Sequence, residues 1–201
     1  MINTVIFDIG NVLADFTWKE FINGKGYMGT MFDRIVRASI MNDNWVEYDK
    51  GLISDEEIIQ LFVDSDPEIE ADIRKCFAEI KGMVSKNDYA IPWINELKKR
   101  GYRVYYLSNF SRKAEVECAD ALDFIPYMDG GILSYKEHLV KPMPQIYELL
   151  IQRYNLNPKE CVFLDDTEIN LTGASGFGIH TILFKNYEQA KDELERILAE
   201  C

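Results

Sequence analysis

The sequence lacks any apolar run long enough to cross a membrane, and no basic segment near its start leads into a long apolar one. A transmembrane helix needs about 18 or more predominantly apolar residues in a row. A secretory signal combines early positive charge with an apolar segment. Residues 1–3 instead run directly into a strand-like segment. We therefore expect a cytoplasmic protein without a membrane partner.

Cysteine is scarce and dispersed. The four cysteines form no CxxC pair and lie near no histidine cluster; they are Cys76, Cys118, Cys161 and Cys201. Zinc sites and disulfide frameworks are recognised in a sequence by closely spaced or regularly patterned ligands, whereas reduced thiols are usual in the cytosol. The pattern predicts free thiols and argues against a zinc site.

Positive charge is also in short supply. The chain has 22 Lys and Arg residues against 34 Asp and Glu residues, a net charge of −12. Nucleic-acid binding needs a basic face, so we expect no nucleic-acid partner. An acidic protein repels anionic substrates at long range. A phosphate site in this chain therefore requires local positive charge, which a lysine and a divalent cation would supply.

The sequence does contain short apolar runs separated by amphipathic stretches of helix length. The runs occupy about 3–8, 103–108, 131–134, 160–165 and 179–184. Alternating strands and helices are typical of an α/β protein with a parallel sheet. With 201 residues, of which 47% are apolar, the chain can bury a substantial core.

The interval between the first two runs differs from the rest of the chain. It shows no convincing strand but several helix starts, including two segments that read as capping boxes, Thr17–Glu20 and Ser54–Glu57. Such an insertion is too long for an ordinary loop between a strand and a helix. We predict a core domain formed by about 1–14 and 86–201, with a helical cap domain over about 15–85.

Chemically useful side chains stand at strand ends and at one helix start. They are an acid after the first run, a Ser-Asn pair after the second, a lysine and a later acid pair: Asp8, Ser108, Asn109, Lys141, Asp165 and Asp166. Ligands of open α/β sheets bind outside the carboxyl ends of the strands. An acid nucleophile, a hydroxyl, a lysine and an acid pair suit magnesium-dependent phosphoryl transfer.

These segments resemble the four motifs of the haloacid dehalogenase superfamily. The motifs read FDIGNVL at 7–13, LSN at 107–109, KPMPQIY at 141–147 and FLDD at 163–166, with Asn170 following. Each one alone has an ordinary explanation as a turn, a cap or a helix start, but all four occur in order. The resemblance implies a Rossmann-like core of five parallel strands in spatial order 5-4-1-2-3, with a helical cap after the first strand.

The resemblance also implies a magnesium site and a nucleophile. Asp8 would attack phosphorus and become an aspartyl-phosphate. Repulsion between its carboxylate and a phosphate dianion amounts to several kcal/mol in a partly dry site, and magnesium offsets it. The implied ligands are Asp8, the Gly10 carbonyl oxygen and one or both of Asp165 and Asp166. Of the pair, Asp166 is favoured as the direct ligand.

The remaining motif residues would bind the substrate. The resemblance assigns Ser108 and the backbone N–H of Asn109 to the phosphate oxygens, and pairs Lys141 with both Asp8 and the phosphate. Asn170 would orient Lys141 or the acid pair from behind.

Position 10 departs from the pattern of most phosphatases in this family. They carry a second aspartate two residues after the nucleophile, which protonates the leaving alkoxide and later activates water. Here the residue is Gly10. Its backbone carbonyl can still bind a metal, but it offers no acid or base.

Three interpretations stay open. The FDxGNV pattern resembles a branch that includes phosphatases of sugar phosphates such as glucose 1-phosphate, in which Asp15 or a metal-ordered water would replace the missing group. Haloacid dehalogenases also lack that aspartate, but they generally lack the pair Asp165-Asp166 as well. A non-catalytic relative would bind a phosphorylated ligand or a protein partner. We favour the phosphatase.

The predicted cap contains residues with two possible roles. Arg34 and Arg37 either contact the substrate or form a solvated face, and the solvated face is the preferred interpretation. Several aromatic residues either form a stacking surface or fill a small helical core, the second being preferred; they are Trp18, Phe21, Tyr27, Trp45 and Tyr48.

Overall fold

The computed structural model of the protein describes residues 1–199, and a five-stranded parallel sheet lies at its centre. The strands in chain order are β1 (Thr4–Phe7), β2 (Ala14–Phe16), β3 (Val84–Lys86), β4 (Arg103–Ser108), β5 (Gly130–Leu133), β6 (Cys161–Asp165) and β7 (His180–Leu183). The sheet has the order β5-β4-β1-β6-β7, and β2 pairs with β3 apart from it. Counting only the five sheet strands, this order is 5-4-1-2-3 read from the opposite edge. The predicted α/β class is confirmed.

Eleven α-helices accompany the strands within residues 1–199. Five lie between β2 and β3: α1 (Trp18–Gly24), α2 (Gly29–Ala38), α3 (Trp45–Lys50), α4 (Asp55–Ser65) and α5 (Glu70–Phe77). Six follow β3: α6 (Ala90–Lys99), α7 (Arg112–Glu117), α8 (Ser134–Glu137), α9 (Pro144–Arg153), α10 (Glu168–Ser175) and α11 (Tyr187–Ala199). None of them, over this described span, combines the length and apolar content needed to cross a bilayer.

The central strand β1 is buried along its whole length because β4 and β6 flank it and side chains cover both faces of the sheet. Strands buried on both faces read as continuous apolar runs, as Thr4–Phe7 and Cys161–Leu164 largely do. Phe7 belongs to the cluster on one face and Phe163 to the cluster on the other. The ends of β1, β4 and β6 therefore meet at one edge of a rigid sheet.

The short ribbon of β2 and β3 was not expected. Ala14 pairs with Lys86 and Phe16 with Val84 in an antiparallel register, so the prediction of no strand within 15–85 is wrong at both ends of that interval. Three-residue strands are too short to show an alternating pattern. The ribbon joins the two ends of the helical insertion.

The helices α1 to α5 pack around a hydrophobic cluster of their own. The cluster contains Ile22, Ile35, Phe62, Ile73 and Phe77, each at most 1% exposed. It is distinct from the two clusters that cover the sheet. The division into a core domain and a cap domain stays a prediction at this point.

Local signals at helix starts had mixed outcomes. Ser54 forms the predicted capping box with Glu57. The prediction for Thr17 is wrong, because its hydroxyl makes no cap bond and donates to the carbonyls of Gly82 and Met83 instead. Lys141 was expected to open a helix, but α9 begins only at Pro144. The lysine lies in the preceding loop.

The cysteines in the described part of the chain are free thiols. Cys76, Cys118 and Cys161 are all buried, and burial raises the pKa of Cys76 to about 12. Cys201 lies outside the described residues. Burial also raises the pKa of Cys161 to about 11. A buried thiol with a raised pKa is a poor nucleophile, so Cys76 and Cys161 act as small apolar core residues.

Candidate active site

Asp8 stands directly after β1, where the strand leaves the sheet. Its backbone N–H donates to the Leu164 carbonyl at 2.8 Å, so the pairing with β6 continues up to this residue. One carboxylate oxygen accepts the N–H of Ile9 at 2.7 Å. The chain then turns through Asn11, whose φ of 56° is in the left-handed region that asparagine tolerates better than most residues. This turn holds the buried Asp8 carboxylate at the sheet edge.

Lys141 reaches two carboxylates at once. Its Nζ lies 2.9 Å from Asp8 Oδ2 and 2.6 Å from Asp165 Oδ2, and its side chain is 1% exposed. Asn109 fixes the backbone of this loop. Its side-chain oxygen accepts the Lys141 N–H at 2.7 Å, and its amide donates to the Lys141 carbonyl at 3.0 Å. The loop before α9 is thereby tied to the end of β4.

The two adjacent acids have different surroundings. Asp165 is fully buried, and its oxygens accept bonds from Lys141, from the backbone N–H of Thr167 at 2.8 Å and from Asn170 at 3.1 and 3.2 Å. Asp166 is more exposed and accepts the Asn11 amide at 2.8 Å. Asp166 faces the cavity, whereas the oxygens of Asp165 are already occupied by protein donors.

The acids at this edge form a group suited to a hard cation. One oxygen each from Asp8, Asp165 and Asp166 lie within 4.8 Å of one another. Magnesium takes oxygen ligands at about 2.0–2.1 Å in near-octahedral geometry, so its ligand oxygens lie about 3 Å apart when adjacent and about 4.2 Å apart when opposite. The spacing of the three carboxylate oxygens is close to this range. Carboxylate oxygens are the donors that magnesium prefers.

Electrostatics at the site are dominated by burial. Desolvation raises the pKa of Asp8 to about 7; Lys141 opposes this rise, Asp165 adds to it, and a hydrogen bond from Ser108 lowers the value again. Burial lowers the pKa of Lys141, but its interactions with Asp8 and Asp165 raise that pKa by more, so the net shift is upward. Two buried carboxylates thus share one ammonium, which leaves net negative charge that a divalent cation would compensate.

A cavity of about 400 Å³ opens above these residues. Its sheet side is lined by Asp8, Gly10, Lys141 and Asp166, among others. Its other side is formed by residues of the helical insertion and of the ribbon: Phe16, Trp45, Tyr48, Asp49, Ile80, Met83 and Val84. The site therefore lies between the sheet edge and the helical insertion.

The remaining candidates fall at different places. Ser108 is 1% exposed at the end of β4 beside Asp8, while its neighbours Asn109 and Phe110 line the cavity. Asp15 does not line the cavity, and its carboxylate accepts the amide of Asn87 at 3.0 Å on the exposed ribbon.

Arg34 pairs with Asp66 and Glu68, away from the cavity. Among the aromatic residues, Trp45 and Tyr48 both line the cavity and pack edge to face with each other, at 5.4 Å between ring centroids. They therefore belong to the helical core and to the site wall at the same time.

One cavity residue escaped prediction from the sequence. Asp49, in α3, faces the same cavity as Asp8. Burial raises its pKa to about 7, with Lys141 lowering the value and Asp8 raising it. The segment Tyr48-Asp49-Lys50-Gly51 carries no motif, and the side of α3 that faces the sheet edge is set by packing. No signal in the sequence marks this acid.

Comparison with known proteins agrees with this geometry. The profile of the haloacid dehalogenase-like hydrolases matches residues 2–178. The chain is 25% identical over 219 residues to D-ribitol-5-phosphate phosphatase of Bacteroides thetaiotaomicron, covering 98% of this chain and 99% of the relative. It is 29% identical over 202 residues to mouse acyl-CoA dehydrogenase family member 10, covering 96% of this chain and 19% of the relative.

The mammalian relatives are much longer proteins, and the chain spans only 19–27% of the length of four of them. Among solved structures, a HAD family enzyme from Bacteroides thetaiotaomicron in complex with magnesium and inorganic phosphate has a TM-score of 0.69 and 23% identity. The match covers 92% of this chain and 95% of that one, which shows a shared fold. The match to the family profile extends through all four motifs and the insertion. The chain belongs to the haloacid dehalogenase-like hydrolase family.

Proposed function

We propose that the protein is a magnesium-dependent phosphatase that hydrolyses a small phosphomonoester through an aspartyl-phosphate on Asp8. The observation that carries this proposal is the position of Lys141, whose ammonium lies 2.9 Å from Asp8 and 2.6 Å from Asp165 beside a third acid, Asp166. A nucleophile, a fixed positive charge and an acid group with the donors for a cation meet at one sheet edge. Phosphoryl transfer needs this combination.

Magnesium would be held by Asp8, the Gly10 carbonyl oxygen and Asp166. Asp165 would hold Lys141 in place next to these ligands. When bound, the ion neutralises charge on the phosphoryl oxygens and on the attacking carboxylate. Asp166 is the better direct ligand because it faces the cavity. The oxygens of Asp165 are already engaged by Lys141, Thr167 and other protein donors.

The chain's own residues divide the other tasks. Asp8 attacks phosphorus, and its orientation is fixed by the N–H of Ile9 and by Lys141. Lys141 stabilises the charge that develops on the phosphoryl oxygens. Ser108 and the N–H of Asn109 hold two of those oxygens. Asn170, with both of its bonds to Asp165, keeps that acid turned toward the lysine.

The helical insertion, about 15–85, would act as a cap domain. It has its own hydrophobic cluster, and it connects to the core through the two-stranded ribbon. Residues from both parts line the cavity. Closure of such a cap excludes water from the reacting groups and commits the substrate.

A sugar phosphate is the substrate class that we favour. A cavity of about 400 Å³ is within the range of small-molecule sites. Its wall combines the rings of Trp45 and Tyr48 with the polar groups of Asn11 and Asp49, which suit the apolar face and the hydroxyls of a sugar. One relative over nearly the whole chain is a D-ribitol-5-phosphate phosphatase.

The test is phosphate release from a panel of sugar phosphates by the purified chain, with magnesium and with EDTA. We expect release only with magnesium. Asp8→Asn should abolish measurable turnover, because the amide cannot attack phosphorus and the aspartyl-phosphate cannot form. Asp43→Asn is the matched control, since Asp43 is an exposed acid of the helical insertion; it should retain wild-type turnover.

Other outcomes would point elsewhere. Chloride release from a 2-haloacid in the presence of EDTA would indicate that the protein is a dehalogenase and not a phosphatase. Saturable binding of a sugar phosphate without release of phosphate would indicate a binding protein. The acid pair argues against the first outcome, and Asp8 held beside Lys141 argues against the second.

A further inference from the structure

We propose that Asp49, contributed by the helical insertion, is the general acid and base that position 10 lacks. It would donate a proton to the leaving oxygen of the substrate and then take one from the water that hydrolyses the aspartyl-phosphate. This inference rests on the proposed phosphatase function and deepens it. Gly10 stands where the family pattern described above places that acid, so the proton must come from another group.

Asp49 is the acid that the helical insertion contributes to the cavity lined by Asp8. Its carboxylate lines the cavity together with Asp8 and Lys141, and among residues 1–199 it accepts no hydrogen bond. The attacking oxygen and the leaving oxygen lie on opposite sides of phosphorus in an in-line displacement. A proton donor is therefore needed across the cavity from Asp8, on the side that the helical insertion forms.

The backbone around Asp49 is fixed to the core. Its carbonyl oxygen accepts the hydroxyl of Ser134 at 2.6 Å, and Ser134 also bonds the backbone of Phe110. Two residues on, Gly51 has a φ of 63°, and a Cβ there would lie 2.8 Å from the Cβ of Tyr135. The end of α3 therefore packs closely against α8, which fixes the backbone that carries Asp49.

The surroundings favour a carboxyl that changes protonation near neutrality. Burial raises its pKa to about 7, Lys141 lowers it and Asp8 raises it. Most other charged groups on α3, α4 and α8 are in ion pairs: Lys50 with Glu47, Asp55 with Arg112, Glu56 with Arg74, Lys136 with Glu115 and Glu137 with Arg153. Glu57 is engaged with Ser54 in the capping box, and Asp64 accepts the side-chain amide of Gln60. The ring of His138 contacts the carbonyl of Lys50. An acid with a pKa near the working pH is effective in both directions of proton transfer.

The proton balance closes over two steps. In the first, a carboxylate oxygen of Asp8 bonds to phosphorus, the ester P–O bond breaks, and the leaving oxygen takes the proton of Asp49 to become an alcohol. In the second, the Asp49 carboxylate takes a proton from water as its oxygen bonds to phosphorus. The bond from phosphorus to Asp8 then breaks, releasing inorganic phosphate and restoring both acids.

The other acid near the start of the insertion fits this role less well. Asp15 lies on the ribbon, bonds Asn87 and does not line the cavity. Position 10 itself has space, because a Cβ built on Gly10 meets no atom within 4 Å. Because Gly10 lines the cavity and has room for a Cβ, an aspartate introduced there provides a gain-of-function test.

The experiment compares Asp49→Asn with wild type on two substrates in the presence of magnesium. One is an alkyl phosphate such as ribitol 5-phosphate, whose leaving alkoxide needs a proton. The other is 4-nitrophenyl phosphate, whose leaving group departs as a stable anion. We expect the variant to transfer phosphate from the alkyl ester at least about 100-fold more slowly, while 4-nitrophenol appears in a burst equal to the enzyme concentration.

The burst follows because the second step also needs Asp49, so the aspartyl-phosphate accumulates and is seen as a mass increase of the intact protein. In wild type, the single-turnover rate with the alkyl ester should fall at high pH, because Asp49 must be protonated to donate, and at low pH, because Asp8 must be ionised to attack. Asp49→Asn should lose the fall at high pH and keep the fall at low pH. Asp49→Glu should transfer phosphate from the alkyl ester at least about tenfold faster than Asp49→Asn. The double variant Gly10→Asp with Asp49→Asn should show the same gain over Asp49→Asn.

The outcomes separate the two levels of the proposal. If wild type releases no phosphate with magnesium, the proposed function fails and this role fails with it. A different result would overturn only the role of Asp49. In that case wild type is active, but Asp49→Asn loses activity equally on both substrates, with no burst of 4-nitrophenol and no phosphoenzyme. Asp43→Asn serves again as the control, and unchanged thermal melting of Asp49→Asn excludes unfolding as the cause of the loss.

Discussion

Single residues decide the chemistry of this site through their burial. Lys141 is held between Asp8 and Asp165 with its side chain 1% exposed. Such a network gains little over apolar packing while it is complete, but loss of one member leaves an uncompensated buried charge that costs about 3–5 kcal/mol. Lys141 therefore contributes to the stability of the sheet edge.

Lys141→Met should lower the free energy of unfolding by about 3–5 kcal/mol at neutral pH and abolish phosphate release. Urea denaturation measures the stability change. The control is Lys86→Met, which removes an ion pair to Asp123 whose side chains are 41% and 40% exposed. It should cost about 0–1 kcal/mol. Equal losses in the two variants would contradict the buried network.

Residue roles were only partly accessible to sequence reasoning. The structure brings Asp8, Lys141 and Asp165 into direct contact, because each lies on or next to an element whose position in the sheet edge is predictable. The preference for Asp166 over Asp165 as metal ligand now has a geometric argument, but it stays a prediction. Asp49 was missed because its exposure to the cavity depends on how α3 packs.

Secondary-structure elements begin and end where local signals say, provided that tertiary contacts do not compete. Ser54 accepts the N–H of Glu57, and the Glu57 side chain accepts that of Ser54. The similar segment at Thr17 forms no capping box, because the threonine hydroxyl donates its hydrogen bond to the carbonyls of Gly82 and Met83, just before β3. The same pattern thus has different outcomes at a free helix end and at a junction.

Ser54→Ala should lower the free energy of unfolding by about 0.5–2 kcal/mol, since the N3 amide of α4 loses its acceptor. Thermal or urea unfolding measures it. Ser175→Ala is the matched control: that exposed hydroxyl bonds only the Thr172 carbonyl of its own helix, and its loss should change stability by less than about 0.5 kcal/mol. A similar effect in both variants would show that the box contributes nothing.

At the scale of the whole molecule, the chain has separate apolar clusters on either side of the active-site cavity. The helical insertion has its own cluster around Phe62, which stacks on Trp45 at 5.9 Å between ring centroids. The sheet is covered by two further clusters. If the insertion is a cap domain, it should open and unfold locally without the sheet.

Phe62→Ala should cost about 3–5 kcal/mol of local stability and speed amide hydrogen exchange in residues 17–83, with the amides of β1 and β6 unchanged. Phe163→Ala removes an equally buried ring from the sheet cluster and should speed exchange in the sheet. Hydrogen exchange with mass spectrometry resolves the two regions. Simultaneous loss of protection in both regions after Phe62→Ala would mean a single cooperative unit.

The order of apolar runs, the strand-end acids and the four motifs were enough to establish the parallel α/β class and the family, because these signals are local in the chain. Only the tertiary structure decided that Asp49 of the helical insertion lines the same cavity as Asp8. Asp49 owes its place to a bond between its carbonyl and Ser134, 85 positions away, and to the close packing of Gly51 on Tyr135. Contacts over such separations leave no periodic trace in the sequence, since they depend on how complete elements fit together.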